Sequence, residues 1–453
     1  MATSVQPRFG TNGVRGVVGK EITADFALRF GGAVGAFFGG GRIAVATDTR
    51  TSKDMLSQAL LAGLTSSGCD VVHLGEIPTP ALQYYVPARR LQGGVTVTAS
   101  HNPAEFNGFK VVGADGMDAS RDEERRIESS FDEVRTPVSW DRCGRVTQAA
   151  DGVAVYLEDI LLRVDGAAIR AGAPRIVVDC ANGAAVHTTP DLLRRLGCTV
   201  LTLNGHPDGT FPGRPPEPKE ENLRELARLV VQTGADLGIA HDGDADRAVF
   251  IDDRGRYVHG DRALAVMARA VLAKRKGLIV TPVTSSSCVE DVVLEAGGTL
   301  EYTAVGAPTV SRRMKETGAL LGGEESGGLM FPELHFAKDG GMAAARMVEL
   351  VATGTRLSEA VDALPPYVLV RRSVPVAPEA HDAVVGALLD VARREKVLTV
   401  DGFKFIRNEG WVLVRPSGTE PLFRLYAEAK KAEDAETLAK FAEDLIRGAL
   451  PRA

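Results

Sequence analysis

The segment from residue 239 to 252 carries three closely spaced carboxylates. It reads IAHDGDADRAVFID, so that Asp242, Asp244 and Asp246 alternate with small residues between two apolar runs. Carboxylates this close repel one another unless a cation lies among them, and hard oxygen ligands suit Mg²⁺. An EF-hand loop would need glycine where Arg247 stands and glutamate where Asp253 stands. The spacing therefore predicts a divalent metal site of another kind, with a solvated acidic turn as the alternative.

A serine that could do nucleophilic chemistry lies in the segment from residue 96 to 112, TVTASHNPAEFNGFKVV. We expect an apolar strand to end at Ser100 and His101. Asn107 and Gly108 are then expected to form a tight turn that brings Lys110 back on the returning strand. Such a serine could act as a nucleophile or carry a phosphoryl group, with the lysine as the proton-transfer group. A decorated hairpin turn is the alternative.

Two glycine-rich segments carry further candidate side chains. Residues 322–328 read GGEESGG, where the glycines would let a ligand approach the backbone and Glu324 could accept hydrogen bonds from sugar hydroxyls beside Ser326. Residues 9–19 read FGTNGVRGVVG and place Arg15 between two glycine-bearing turns. Taken singly, each segment is also consistent with a surface loop.

A set of hydrogen-bond donors with little bulk occurs in residues 414–426, VRPSGTEPLFRLY. Guanidinium groups, hydroxyls and loop amides in this arrangement suit a phosphate dianion. A surface turn with incidental arginines is the alternative. The candidate phosphate-binding residues are Arg415, Ser417, Gly418, Thr419 and Arg424.

The elements that must position these side chains occur three times along the chain. Each copy joins an apolar, β-branched strand to a helix that ends at a glycine, and then to a second strand. The first strands read RIAVAT, RIVVDC and GLIVTPV, and the helices end before Gly68, Gly197 and Gly297. Glycine can adopt the positive φ that ends a helix. Apolar runs without polar alternation indicate strands covered on both faces, so we predict three similar doubly wound α/β domains.

The segment after Pro365 and Pro366 breaks this pattern, because helices there alternate with meandering strands. That order indicates a smaller α+β domain. We therefore predict four domains, at residues 1–150, 151–253, 254–365 and 366–453. Each predicted domain carries one of the chemistry-bearing loops, which suits a substrate held at several points in a central, closable cleft.

Composition excludes several classes of protein. Lys and Arg number 53 against 59 Asp and Glu, for a net charge of -6, so we expect no nucleic-acid partner. No apolar run approaches the roughly 18 residues of a membrane span, and we expect no membrane partner. Five scattered cysteines indicate neither a disulfide framework nor a zinc site. We expect a cytoplasmic protein, a monomer or a homodimer, that binds a small molecule.

Five motifs, FGTNGVRG, TASHNP, DGDADR, GEESGG and RPSGTEP, resemble those of the α-D-phosphohexomutase family in this order and across essentially the whole chain. The family includes phosphoglucomutases, phosphomannomutases and phosphoglucosamine mutases, and the chain most resembles its archaeal-type members. The resemblance implies an isomerase that interconverts a hexose 1-phosphate and a hexose 6-phosphate, the sugar being glucose, mannose or glucosamine. It also implies a phosphosugar substrate and a hexose 1,6-bisphosphate as intermediate or activator.

The resemblance implies a role for each motif residue. Ser100 would be the phosphoserine and would hold Mg²⁺ together with the three aspartates. Lys110 would be the general acid or base. The residues implied around these groups are Arg15 and His101 beside the phosphoserine, and Arg247, Glu324, Ser326, Arg415, Ser417, Gly418, Thr419 and Arg424 on the substrate.

The chain departs from the family pattern at one position. Many members continue the sugar motif as G-E-x-S-G-H, whereas Gly328 stands at the place of that histidine. His335 is a candidate to replace it. Two other hypotheses remain open at this point. One is a metal-dependent phosphosugar phosphatase or bisphosphate synthase that uses the same serine, and the other is a sugar-phosphate-binding protein without catalysis.

Overall fold

The computed structural model describes residues 9–10, 13–132, 137–417 and 420–450. Four β-sheets follow one another along this part of the chain, and each is covered by helices. The first sheet has the strand order β1-β5-β4-β2-β3-β6. Its strands are β1 (Val14–Val17), β2 (Arg42–Thr47), β3 (Asp70–Glu76), β4 (Gly93–Val97), β5 (Phe106–Gly113) and β6 (Val146–Gln148). Its helices are α1 (Ala24–Phe38), α2 (Lys53–Ser66), α3 (Thr79–Ala88) and α4 (Arg121–Asp132).

The second sheet has the strand order β11-β10-β9-β7-β8. Its strands are β7 (Arg175–Asp179), β8 (Thr199–Leu203), β9 (Leu237–His241), β10 (Ala248–Ile251) and β11 (Tyr257–Val258). The helices of this segment are α5 (Gly152–Arg163), α6 (Gly166–Gly172), α7 (Thr189–Arg195) and α8 (Arg224–Thr233). Strands β9 and β10 are antiparallel and joined by the short aspartate-bearing loop.

The third sheet has the strand order β13-β12-β14-β15. Its strands are β12 (Leu278–Pro282), β13 (Thr299–Thr303), β14 (Leu321–Gly323) and β15 (Leu329–Met330). The helices of this segment are α9 (Gly260–Lys274), α10 (Ser287–Glu295), α11 (Ala307–Thr317), α12 (Gly340–Ala352) and α13 (Leu357–Asp362).

The structure confirms the threefold repeat of strand, helix and strand. The three copies are β2-α2-β3, β7-α7-β8 and β12-α10-β13, and the two strands of each copy are parallel neighbours. The glycines after the three helices have positive φ, at 84° for Gly68, 95° for Gly197 and 69° for Gly297. A local sequence pattern therefore predicted both the order of the elements and the backbone conformation that ends each helix.

The fourth sheet is antiparallel throughout, with the order β16-β20-β19-β18-β17, and confirms the change of fold type. Its strands are β16 (Val368–Pro375), β17 (Val397–Leu398), β18 (Phe403–Ile406), β19 (Gly410–Pro416) and β20 (Leu422–Ala429). Its helices are α14 (His381–Ala392) and α15 (Ala432–Gly448). This segment has its own apolar core, in which α15 packs on β16, β19 and β20.

The largest apolar core runs through the first three segments rather than stopping at each predicted bound. Helix α12 is buried along most of its length and contacts α5, α6, α7 and α9. At its N-terminus, Tyr156 in α5 donates a hydrogen bond to Asp339 at 2.6 Å. The residue that precedes α12 is thereby fixed against helix α5 of the second segment. The bounds at residues 150, 253 and 365 stay a prediction.

One local prediction was wrong. Asn107 and Gly108 do not form a tight turn but lie inside β5, and the chain reverses over the longer loop between β4 and β5. Glycine is needed at position 108 because β1 passes close by: a Cβ there would lie 2.0 Å from the carbonyl oxygen of Val14. Lys110 lies on the returning strand, as predicted.

Candidate active site

Ser100 follows the end of β4 in a left-handed backbone conformation, with φ of 52°. Such a conformation is unfavourable for a residue other than glycine and needs support from its surroundings. The backbone N–H of Ser100 donates to the Thr98 hydroxyl at 2.8 Å. Ser100 is only 1% exposed, and its hydroxyl donates to Asp242 Oδ2 at 2.8 Å. The serine is thus directed at the aspartate loop of the second segment.

A fully buried arginine supports the loop that carries this serine. Arg50, after β2, donates to the carbonyl oxygens of Ser100, Asn102, Pro103 and Phe106 at 2.6 to 2.9 Å. Its Nε also donates to Asp48 at 3.2 Å, and Asp48 accepts further hydrogen bonds from the Arg50 backbone N–H at 3.0 Å and from the Thr98 hydroxyl at 2.6 Å. Sequence reasoning missed this pair, although the motif DTR directly after an apolar strand was a signal for it.

The three aspartates lie together in the loop between β9 and β10. All three are buried, and one oxygen from each can be chosen so that the oxygens lie within 4.8 Å of one another. The loop packs directly on the serine loop, because a Cβ on Gly243 would lie 2.5 Å from the Ser100 carbonyl oxygen. The predicted metal site and the predicted nucleophile therefore form one cluster.

Two lysines balance the charge of this cluster. Lys110 Nζ lies 2.6 Å from Asp244 and 2.8 Å from Asp246, and Lys338 Nζ lies 3.1 Å from Asp246. Burial favours the neutral form of Lys110, but the two carboxylates outweigh it and raise the pKa of this ammonium group. Lys110 is therefore protonated in this structure. Burial, together with the other two aspartates, raises the pKa of Asp242 to about 7.

The donor set suits a hard divalent cation. Asp244 Oδ1 and Asp246 Oδ1 are buried and have no hydrogen-bond partner among the described residues. Buried polar atoms are normally satisfied, so two carboxylate oxygens without a hydrogen bond, of which Asp246 Oδ1 lies 3.8 Å from Arg247 Nε, indicate a place for a further ligand of opposite charge. Oxygen ligands of this kind fit Mg²⁺. The aspartate cluster could thus bind a metal ion.

A cavity of about 660 Å³ opens next to the cluster. Residues from all four segments of the chain line this cavity, as predicted for a central cleft. The predicted site residues that line it are Arg15, His101, Arg247, Glu324, Ser326 and Arg424. Further lining residues are Asn102, Val305, Gly306, Ala307 and Lys338.

His101 is held in its neutral form at the wall of the cavity. Burial, with help from Arg247 and Arg15, lowers the pKa of His101 to about 2. Its Nδ1 lies 3.3 Å from the Ser100 hydroxyl and 3.2 Å from Arg247 Nη2. Arg15 in turn donates to Asn102 at 2.9 Å. Arg15 and Arg247 therefore place positive charge near the serine, and this charge favours an anionic group there.

Lys338 is a site residue that sequence reasoning missed. It lies just before α12 and reaches Asp246 on one side and, at 3.9 Å, Glu324 on the other. A Cβ on Gly328 would lie 2.3 Å from Lys338 Cδ, so the glycine leaves the space through which this side chain passes. His335, by contrast, bonds to Asp339 at 2.7 Å and is not among the described residues that line the cavity.

The two arginines of the predicted phosphate loop lie directly opposite each other on β19 and β20. Like charges in that arrangement repel, and each arginine has its own carboxylate partner. Arg415 pairs with Asp401 at 3.0 Å, and Arg424 pairs with Glu420 at 2.9 Å. Of the two, only Arg424 is among the described lining residues, and Ser417 is not among them either. Gly418 and Thr419 lie outside the described residues.

The fold and the cavity point to a class of protein: an enzyme whose cavity is lined by residues of four segments beside a buried serine and three carboxylates, an arrangement suited to phosphoryl transfer. Family models for phosphoglucomutase/phosphomannomutase match nearly the whole chain. The alpha/beta/alpha domains I, II and III match residues 6–137, 154–255 and 259–367, and the C-terminal domain matches residues 369–445. The chain belongs to the phosphoglucomutase/phosphomannomutase family, the α-D-phosphohexomutases, as its motifs indicated.

Similar proteins cover nearly the full length of the chain. A probable phosphoglucosamine mutase from Methanopyrus kandleri is 44% identical over 97% of both chains. A phosphoglucomutase/phosphomannomutase from Thermococcus kodakarensis is 42% identical over 98% of this chain and 99% of its own. A crystal structure of a family member from Burkholderia thailandensis has a TM-score of 0.87 at 29% identity and covers 98% of both chains. The predicted four-part fold and the enzyme class, a mutase, are thus confirmed.

None of the described helices is long and apolar enough to cross a membrane.

Proposed function

We propose that this enzyme interconverts hexose 1-phosphates and hexose 6-phosphates by way of a phosphoserine at Ser100. The observation that carries the proposal is the placement of the Ser100 hydroxyl, which lies 2.8 Å from Asp242 of the buried aspartate cluster and 3.3 Å from Nδ1 of His101, a residue that lines the cavity. The phosphoryl group would move from Ser100 to the free hydroxyl of the sugar phosphate. The hexose 1,6-bisphosphate formed in this way would turn around and return its other phosphoryl group to Ser100.

Asp242, Asp244 and Asp246 are the residues that would hold Mg²⁺, together with an oxygen of the phosphorylated Ser100. Such an ion neutralises the charge of the transferring phosphoryl group, which is a large part of catalysis in this chemistry. The orphaned oxygens of Asp244 and Asp246 support this assignment.

Two ammonium groups beside the cluster are suited to move the protons of the reaction. Each transfer breaks one P–O bond and forms another, while a proton leaves the attacking hydroxyl and one reaches the released oxygen. Lys110 is protonated here and can supply a proton to Ser100 as its ester bond breaks. Lys338 lies between Asp246 and Glu324 and lines the cavity.

The phosphate that does not react needs a binding site that tolerates either end of the sugar. Guanidinium groups bind the charged phosphate and do not depend on the shape of the sugar ring, so Arg415 and Arg424 suit this role. Glu324 and Ser326 would bind the sugar hydroxyls, and Arg15, His101 and Arg247 would surround the transferring phosphoryl group. Ser417, Gly418 and Thr419 would complete the phosphate loop.

The names of the relatives support a mutase rather than a phosphatase or a binding protein without catalysis. The names differ in the sugar. The relative from Methanopyrus kandleri is named a phosphoglucosamine mutase, and the one from Thermococcus kodakarensis a phosphoglucomutase/phosphomannomutase. A third relative, from Sulfurisphaera tokodaii, is named a phosphoglucosamine/phosphogalactosamine mutase. We therefore propose hexose and hexosamine phosphates as the substrate class. We further propose that the enzyme acts in the cytoplasm, as a monomer or a homodimer, without a nucleic-acid or membrane partner.

The test replaces Ser100 by alanine and measures turnover of glucose 1-phosphate, mannose 1-phosphate and glucosamine 6-phosphate side by side with the wild type. We expect Ser100→Ala to abolish conversion of every sugar that the wild type converts. Ser129→Ala, on helix α4, is the matched control and should keep wild-type turnover. Near wild-type turnover in Ser100→Ala would reject the phosphoserine mechanism.

A further inference from the structure

One carboxylate joins the third and fourth segments at the wall of the cavity. Asp401 Oδ2 accepts a hydrogen bond from the backbone N–H of Val305 at 3.0 Å. The same oxygen lies 3.0 Å from Arg415 Nη2. Val305 lies between β13 and α11 and lines the cavity, whereas Arg415 lies on β19 of the fourth sheet. A single oxygen atom thus contacts both Arg415, the predicted phosphate anchor, and a loop that lines the cavity.

The backbone of the fourth segment is built to place this carboxylate. Gly402, the next residue, has φ of 81°, and a Cβ there would lie 2.4 Å from the Val414 carbonyl oxygen. The Asp401 turn therefore packs directly on the strand that carries Arg415. The side chains of Asp401 and Arg415 are 20% and 22% exposed, so solvent weakens their interaction less than it would on the open surface.

Arg415 keeps hydrogen-bonding capacity while it is bound to Asp401. A guanidinium group has five N–H donors, and the contact with Asp401 uses Nη2. Its Nε is buried and has no partner among the described residues. Asp401 therefore holds the guanidinium in one orientation and leaves donors free for an anion.

We propose that Asp401 is a positioning residue that couples phosphate binding at Arg415 to the placement of the Val305 loop against the sugar. The inference rests on the proposed function, because it takes Arg415 as the anchor of the phosphate that does not react. A phosphate bound by Arg415 fixes the guanidinium, the guanidinium fixes Asp401, and Asp401 holds the Val305 N–H. The Val305 loop would therefore take the same position over the sugar ring whether the phosphate bound by Arg415 is the 1-phosphate or the 6-phosphate.

The experiment compares Asp401→Ala and Asp401→Asn with the wild type in steady-state kinetics and in calorimetric titration with glucose 1-phosphate, mannose 1-phosphate and glucosamine 6-phosphate. We expect Asp401→Ala to raise KM for the preferred sugar phosphate about tenfold, with a smaller change in kcat, because ground-state and transition-state binding are lost together. Asp401→Asn keeps an acceptor for Val305 but loses the charge, and should have an intermediate effect. Asp390→Ala removes an exposed aspartate from a pair with Arg393 in the same segment and should change nothing.

The coupling itself is measured in the Arg415→Ala background. There, Asp401→Ala should change KM by less than about twofold, because residues that act through one another are not additive. A wild-type KM in Asp401→Ala, or an equal change in both backgrounds, would overturn the proposal. Should Asp401→Ala fail to fold, Asp401→Asn carries the same comparison. If the wild type binds a sugar phosphate without converting it, the proposed function is rejected, but the coupling between Asp401 and Arg415 is still measured by calorimetry. If the wild type binds none of the three sugar phosphates, both the proposed function and the coupling are rejected.

Discussion

Arg50 shows how a residue that never faces the substrate can determine the chemistry of one that does. It donates to four carbonyl oxygens of the Ser100 loop and is paired with Asp48 in the core. Lysine has only three donors on a single nitrogen and cannot satisfy this set. We expect Arg50→Lys to lower kcat at least about tenfold, since a small displacement of a reacting group slows transfer steeply.

The measurement for this variant is kcat beside a thermal unfolding curve, because unsatisfied carbonyls in the core should also lower stability by about 1–3 kcal/mol. Arg393→Lys, at an exposed ion pair directly after helix α14, is the control and should match the wild type. Wild-type kcat in Arg50→Lys would contradict a supporting role for the arginine.

Glu124 should make the stability of the fold depend on pH, and this residue lies outside the candidate active site. Burial, opposed by Arg121, raises the pKa of Glu124 to about 7 from a usual value of 4.5. Between these values the folded protein binds more protons than the unfolded chain, so the free energy of unfolding falls as pH rises through this window. Glu124→Gln should remove that slope and stabilise the protein by about 1–3 kcal/mol above pH 7, with no gain below the window.

Chemical denaturation of the Glu124→Gln variant at a series of pH values tests this, with the exposed Glu158→Gln as the control. An unchanged slope in Glu124→Gln would mean that this carboxyl group is not the source of the pH dependence.

At the scale of elements, two glycines of the fourth segment respond in opposite ways to the same substitution. Gly402 has a left-handed φ, and a Cβ would meet the backbone of β19. Gly386 lies within helix α14, and a Cβ there would meet nothing within 4 Å. Gly402→Ala should destabilise the protein by about 1–3 kcal/mol, whereas Gly386→Ala should stabilise it by about 0.5–1 kcal/mol.

Differential scanning calorimetry of the two variants measures both effects. Gly402→Ala should also raise KM, because the Asp401 turn shifts away from Arg415. Equal melting temperatures in the two variants would contradict the backbone argument.

The elements that sequence could predict are those whose signals are local. The three strand-helix-strand copies follow from apolar runs and glycine stops. Gly108 was misjudged because its need for glycine comes from β1, which is about 90 residues away in the chain. A sequence pattern does not reveal which distant backbone will pass close to a glycine.

At the scale of the whole molecule, the site residues that sequence missed are those defined by contacts between segments. Ser100, Lys110 and the aspartates could be found because each belongs to a motif. Lys338 contacts Asp246 only where the chain before α12 meets the aspartate loop, and Asp401 contacts Val305 only where the third and fourth segments meet. Neither Lys338 nor Asp401 lies in a sequence motif from which its contact partner could be predicted.

Metal removal tests the cluster that joins the first and second segments. We expect a chelator to stop turnover and added Mg²⁺ to restore it, because three buried carboxylates then regain a counter-ion. Mg²⁺ should also raise the melting temperature of the wild type, since it binds the folded state, but should raise it far less in Asp244→Asn. Full activity in excess chelator would contradict the metal assignment.

Transfer of label from hexose 1,6-bisphosphate tests the central claim most directly. The wild type is incubated with glucose 1,6-bisphosphate carrying ³²P, and the labelled peptide is identified by digestion and mass spectrometry. The label is expected on the peptide that contains Ser100, and a chase with unlabelled hexose phosphate should move it to the sugar. Turnover of hexose phosphates without label on Ser100 would contradict the account.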